Sequence, residues 1–152
     1  MKIVVNCINR KVKVNKFYAF ILALYVGVAA ARAVPATVTY IVDGDTFYAN
    51  VLMDDDIKVR TSVRILGIDT PEMNGRCKSE TDAAKRAKTR LAQLLPIGSV
   101  VELNNIKDDK YLGRIDANVS LSDGRSVGKI LVKEKLARVY KGAGKRAPWC
   151  QK

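Results

Sequence analysis

Two short stretches hold the side chains best suited to chemistry: Val42-Asp43-Gly44-Asp45-Thr46 and Arg64-Ile65-Leu66-Gly67-Ile68-Asp69-Thr70-Pro71-Glu72. The chain has no histidine, so imidazole acid–base chemistry is closed to it. With no imidazole and only two isolated sulfurs, Cys77 and Cys150, beyond the N-terminal segment, a four-ligand zinc site is not expected. Asp45 and Asp69, an oxygen of Thr70 and water make a hard donor set suited to Ca²⁺, which takes about six to eight oxygens. Glu72 follows a proline that stiffens the turn, where it can orient or deprotonate a water. Arg64 offers a planar fork for phosphate oxygens. Carboxylates, a cation and a guanidinium together suit metal-assisted attack on a phosphodiester. Singly, each has a plainer reading: Asp-Gly-Asp as a turn, Asp-Thr-Pro-Glu as a helix start, a strand arginine reaching to solvent.

The elements around these residues are expected to bring them together. Thr37–Val42 and Thr46–Met53 alternate apolar and polar positions about the turn at Asp43-Gly44-Asp45. After Asp54-Asp55-Asp56 a third strand is expected over Lys58–Ile68. If these strands pair, Asp45 and Asp69 meet at one end of the sheet. Ser79-Glu80-Thr81-Asp82 predicts a capping box. The stripe Ala83, Ala87, Leu91 and Leu94-Leu95 then predicts a helix that stops at Pro96 and Gly98. Further strands are expected over Val100–Ile106 and Ile115–Leu121, and a helix from Ser126 to about Lys135. The fold class is α+β, mainly β: a five-stranded β-barrel with two to three packed helices, which leaves no exposed strand edge.

The N-terminus reads as a leader. Arg10, Lys11, Lys13 and Lys16 precede the apolar run Phe17–Ala31, and Ala31-Arg32-Ala33 fits a signal-peptidase site. The run is shorter than the ~20 apolar residues of a membrane span, although an uncleaved anchor is the alternative. Residues 1–33 are therefore expected to be a signal peptide and 34–152 the mature domain, secreted or periplasmic. The leader holds Lys2, Arg10, Lys11, Lys13, Lys16 and Arg32, and no acidic residue. Half of the formal net charge of +12 is thus targeting charge. The remaining excess favours a polyanionic partner, because neutralised phosphates release counterions. With Cys7 removed, Cys77 and Cys150 are expected to pair in an oxidising compartment, unpaired thiols being the alternative.

The two stretches, together with Asp109-Lys110-Tyr111-Leu112-Gly113-Arg114, resemble the signature blocks of the staphylococcal (micrococcal) nuclease family, in the same order. The similarity covers about Thr37 to Tyr140. The resemblance implies an OB-type barrel that hydrolyses DNA and RNA with Ca²⁺ and leaves 3′-phosphate ends. It implies Asp45, Asp69 and Thr70 as metal ligands, Glu72 as general base, and Arg64 and Arg114 as phosphate clamps. Tyr111 and Tyr140 are similar to residues lining the nucleotide pocket, and Asp43 to an auxiliary acid. Where the family has Tyr-Gly-Arg, this chain carries an extra Leu112, and a bulge is expected to absorb it and keep Arg114 in place. The tail beyond Tyr140 is shorter than the family's last helix. A Cys77–Cys150 bridge is expected to pin it, with Trp149 packed on the barrel. Lys141, Lys145 and Arg146 could follow a nucleic-acid backbone or form a solvated end. The partner expected is nucleic acid as substrate, with the protein a monomer. Rival readings are a non-catalytic barrel that binds single strands and a disulfide-tied structural or inhibitor protein.

Overall fold

The computed structural model of the chain describes residues 33–54, 56–142 and 144–150. The leader expected over residues 1–33, Ala33 apart, lies outside the described residues, as does Asp55. Five strands close into a barrel: β1 (Val34–Ile41), β2 (Thr46–Asp54), β3 (Ile57–Ile65), β5 (Val100–Asp108) and β6 (Arg114–Ser120). Around the barrel the order is β1-β2-β3-β6-β5, with β3 and β6 parallel and the other pairs antiparallel. This is the OB-fold expected from the sequence. A two-stranded sheet, β4 (Ile68–Asp69) with β7 (Arg138–Val139), stands apart from the barrel ladder.

Alternation drives each strand. Val38, Phe47, Ala49, Val51, Val63, Ile65, Val101, Leu103, Ala117 and Val119 fill the barrel and are essentially inaccessible to water. Burying such a side chain contributes about 1.5–3 kcal/mol for the larger ones. Helix α1 (Lys78–Leu94) lays Ala84, Ala87 and Leu91 against this core, and α2 (Val127–Lys133) adds Val127 and Leu131. Gly128 lets α2 approach closely, since a Cβ there would sit 3.3 Å from Ile68 Cγ2. Among the described residues no helix is long and apolar enough to cross a membrane.

Three local expectations need correction. The strand predicted over Lys58–Ile68 breaks after Ile65, because Gly67 turns the chain at φ +80° and Ile68–Asp69 pairs elsewhere. The capping box does not form. Cys77 is the N-cap of α1 without a side-chain cap, Asp82 pairs with Lys78 at 2.6 Å, and Glu80 turns inward to accept the Arg76 N–H. The first strand begins at Val34 rather than Thr37, since Val34–Thr37 pairs with Val100–Leu103 to close the barrel. Ser126 does cap α2, accepting the Lys129 N–H.

Candidate metal and phosphate site

The turn between β1 and β2 positions Asp45. Its reversal is tied by the Val42 N–H to the Thr46 carbonyl at 3.0 Å, and Asp43 Oδ1 accepts the Asp45 N–H at 3.0 Å. Asp43 therefore shapes the turn rather than facing a ligand with that oxygen. Gly44 is required by close approach: a Cβ would lie 2.7 Å from Ala87 Cβ of α1 and 3.0 Å from the Thr70 side chain. The Ile65 N–H donates to the Asp45 carbonyl at 2.8 Å and fastens the turn to the end of β3.

The Asp45 carboxylate is buried. Its Oδ1 accepts from Thr46 Oγ1 and from Arg64 Nη1, each at 2.9 Å, and its Oδ2 accepts the Thr70 N–H at 3.3 Å. Burial pushes its pKa from the ordinary 3.8 to about 6; Arg64 opposes that rise and the neighbouring Asp43 charge adds to it. Arg64 lies opposite Thr46 in the β2–β3 ladder and opposite Asp116 in the β3–β6 ladder. Its Nη2 is buried and has no hydrogen-bond partner among the described residues.

The pairing of β4 with β7 brings Asp69 to the same end of the barrel. Asp69 lies opposite Arg138, and the Tyr140 N–H donates to the Gly67 carbonyl at 2.9 Å. Asp69 is buried, and its Oδ2 accepts from Trp149 Nε1 at 3.1 Å. Arg146 Nη1 approaches Asp69 Oδ1 to 3.2 Å, but not along a hydrogen-bond direction, so this buried oxygen lacks a donor. Thr70 is buried beside it, linked through its amide to Asp45. Glu72 is exposed, and its Oε1 accepts from Arg146 Nη1 at 2.8 Å.

The extra residue before Arg114 is absorbed in a turn, not in a bulge of β6. Leu112 is fully exposed at the tip, Gly113 takes φ +78°, and the Arg114 N–H returns to the Tyr111 carbonyl at 3.2 Å. Arg114 then opens β6. Its Nε donates to Asp109 Oδ2 at 2.6 Å and its guanidinium lies 4.5 Å from the centre of the Tyr111 ring. Burial opposes ionisation of Asp109, but Arg114 and the Tyr111 amide hold its pKa below the ordinary value. Asp116 is shifted the other way, raised by burial and by the charge of Asp109.

A cleft of about 580 Å³ gathers much of this set: Arg64, Arg114 and Arg146 with Glu72, Tyr111 and Thr46 on its walls. Tyr140 does not line it. Tyr140 borders a neighbouring cavity of about 510 Å³, which shares the three arginines, and its hydroxyl donates to the Gly144 carbonyl. The expected bridge is present, joining Cys77 to Cys150 with Cα atoms 6.0 Å apart. Trp149 packs where the tail meets Asp69, with the Arg138 guanidinium 3.7 Å from its ring centre.

The sequence pattern of the family described as "Staphylococcal nuclease homologue" matches residues 62–149. The chain belongs to the staphylococcal nuclease family. No curated protein matches the chain. Membership makes it a nuclease or nucleic-acid-binding protein. The matched stretch runs through Arg64, Asp69, Thr70, Glu72 and Arg114 to Trp149, while Asp43–Thr46 precedes it.

This nuclease homologue has a donor set that fits a hard cation. Two buried carboxylates, Asp45 and Asp69, are linked through the Thr70 amide, and Asp69 Oδ1 is a buried acceptor without a donor. Oxygen-only donors of this kind suit Ca²⁺ better than a soft transition metal. A tighter cluster among the described residues, Cys77, Glu80 and Cys150, is no metal site because the disulfide uses both sulfurs.

Asp116 and the Asp69 contacts of Arg146 and Trp149 escaped the sequence reading. Asp116 has the outward parity of an ordinary polar strand residue, and only the parallel β3–β6 pairing sets it beside Arg64. Arg146 was visible as a basic tail residue; the cysteine that pins it was the one signal that it might be placed.

Proposed function

We propose that this protein is a Ca²⁺-dependent endonuclease that hydrolyses phosphodiester bonds of DNA or RNA with little sequence preference and leaves 3′-phosphate ends. One observation carries the reading. Buried Asp45 and Asp69 pair with Arg64 and Arg146, two arginines that border one cleft, and Arg64 keeps a buried Nη2 with no partner among the described residues. Carboxylates repel phosphate unless a cation sits among them, and a buried unpaired donor is costly unless a ligand takes it.

Asp45 and Asp69, with an oxygen of Thr70, would hold the ion. Bound there, Ca²⁺ supplies charge that stabilises a pentacoordinate phosphoryl group. Arg64 and Arg114 orient the phosphate and neutralise charge that grows on its oxygens in the transition state. Glu72 takes the proton of the attacking water as its oxygen bonds to phosphorus. The P–O5′ bond breaks, and the 5′ oxygen leaves with a proton from solvent. Tyr111, stacked on Arg114, is placed to meet a base or sugar at the cleft wall.

The leader reading and the Cys77–Cys150 bridge support a mature domain from residue 34 in an oxidising compartment, secreted or periplasmic. Digestion of DNA by the mature protein, with Ca²⁺ and then with a chelator, tests the function. Cleavage that stops on chelation is expected, and no cleavage under either condition would sink it. A second reading, a barrel that binds strands without cutting them, draws on the Arg146–Glu72 pair, which occupies the expected base. A mobility shift without cleavage, indifferent to Ca²⁺, would favour that reading.

A further inference from the structure

The tail after β7 is fastened around Arg146 on both sides. Before it, the Tyr140 hydroxyl donates to the Gly144 carbonyl. After it, Arg138 Nη1 donates to the Pro148 carbonyl at 3.0 Å, Trp149 Nε1 to Asp69, and Cys150 is bonded to Cys77 at the start of α1. These anchors set the backbone of Arg146 over the site. An arginine delivered this way loses less freedom on binding than one on a loose end.

Its guanidinium is only partly committed. Among the described residues Nη1 donates to Glu72 Oε1 and lies near Asp69 Oδ1 out of hydrogen-bond alignment, and the side chain is 43% exposed. A guanidinium has five N–H donors, so most of its capacity remains for the oxygens of a phosphate. It borders the cleft together with Arg64 and Arg114, which come from two different strands. Its two carboxylate partners are an expected metal ligand and the expected base, and its guanidinium also lies 5.6 Å from the centre of the Tyr140 ring. A cation taken up by Asp69 would repel Arg146 from that carboxylate at the moment a phosphate arrives.

We propose that Arg146 is a third phosphate-binding arginine of this cleft, seated by the Cys77–Cys150 bridge and held on Asp69 and Glu72 until a nucleic-acid phosphate takes it over. The inference rests on the nuclease reading of the site. It makes one claim that a merely structural ion pair does not, that Arg146 neutralises a strand phosphate; it also predicts that Arg146 opposes cation uptake at Asp69.

Both are measurable without turnover. A short fluorescein-labelled single-stranded deoxyoligonucleotide is titrated in chelator over a range of salt, by anisotropy. Against wild type, Arg146→Gln is expected to bind several-fold more weakly and to lose about 0.7 from the log–log salt slope, the share of one phosphate contact on a single strand. Arg146→Lys keeps the slope, because the charge remains. Cys77→Ser with Cys150→Ser weakens binding in the same direction, because the arginine is no longer seated. Calorimetric titration with Ca²⁺ alone is expected to show tighter ion binding by Arg146→Gln. An unchanged salt slope in Arg146→Gln, or weaker Ca²⁺ binding, overturns the inference while wild type still binds and cuts. A wild type that cuts nothing with Ca²⁺ overturns the nuclease reading instead.

Discussion

The two carboxylates at the heart of the site are held by different kinds of structure. Asp45 belongs to the barrel: its turn is closed by backbone hydrogen bonds, wedged by Gly44 against α1, and tied to β3 through Ile65. Asp69 belongs to a two-residue strand whose partner, β7, leads into the disulfide-tied tail. The first carboxylate is held by the barrel and α1 without help from the tail. The second is only as well placed as the tail that braces it through Trp149 and Arg146. A small barrel can thus supply half of an ion site from its own ladder, and needs a covalent staple to complete the other half.

The sharpest break in that comparison falls on Glu72, which stands on the tail side. Glu72→Gln is expected to lower the cleavage rate by ~10²–10⁴ with folding intact, the range for loss of a general base. Wild-type-like turnover in that variant would remove Glu72 from the mechanism. On the barrel side, Arg64→Ala and Arg114→Ala are each expected to cost ~10²–10³ in rate, as for loss of one transition-state donor. Each arginine already holds a carboxylate, Asp45 or Asp109, but Arg64 should be the costlier, because its buried Nη2 has no partner among the described residues. Equal losses in steady-state kinetics would show that the Asp109 pair does not hold Arg114 back.

Removing the staple sharpens the same contrast. The bridge spans 73 residues of sequence. In the chain-entropy model its loss costs on the order of 4 kcal/mol. Cys77→Ser with Cys150→Ser should therefore lower the midpoint of denaturant unfolding, read by circular dichroism. Below that midpoint the barrel signal is expected to stay native while Ca²⁺ affinity changes, because Asp69 loses its brace and Asp45 does not. Unaltered Ca²⁺ affinity in the double variant would mean that β4–β7 pairing alone places Asp69.

The same division marks what could be read from the residues alone. The barrel strands were legible because each repeats its apolar residues with period two, and Asp-Gly-Asp marked the turn that carries Asp45. Three of the five barrel strands, β2, β5 and β6, fell within two residues of their expected bounds. Where local chemistry competed with tertiary packing, packing won. Glu80 gave up the helix start to bury its carboxylate against the Arg76 amide, and Lys58–Ile68 broke at Gly67 so that Ile68–Asp69 could pair with residues 138–139. The site followed suit. Asp45, Asp69, Arg64 and Glu72 could be named from type and spacing, but the seat of Arg146 depends on a disulfide and a two-residue strand, neither of which leaves a periodic trace. Tyr140, held by its backbone to Gly67, borders a cavity that Arg64, Arg114 and Arg146 also line.

The smallest effect tests the barrel side by itself. In the folded protein Asp45 titrates at about 6 against an ordinary 3.8, chiefly because it is buried. Between those values the folded chain keeps a proton that the unfolded chain has released. Raising the pH through this window therefore removes stability: the contribution is whole below pH 3.8 and gone above about pH 6. The shift sets a ceiling of about 3 kcal/mol. Asp45→Asn cannot titrate, so the stability of wild type relative to this variant, in chelator, should fall as the pH rises from 4 to 6.5. Excess Ca²⁺ should restore the difference at the upper end, where the carboxylate is ionised, and do little at the lower end. A relative stability that does not change with pH would show that Arg64 and the Thr70 amide already compensate the burial of Asp45 in full. The barrel would then present this carboxylate ionised before any cation arrives.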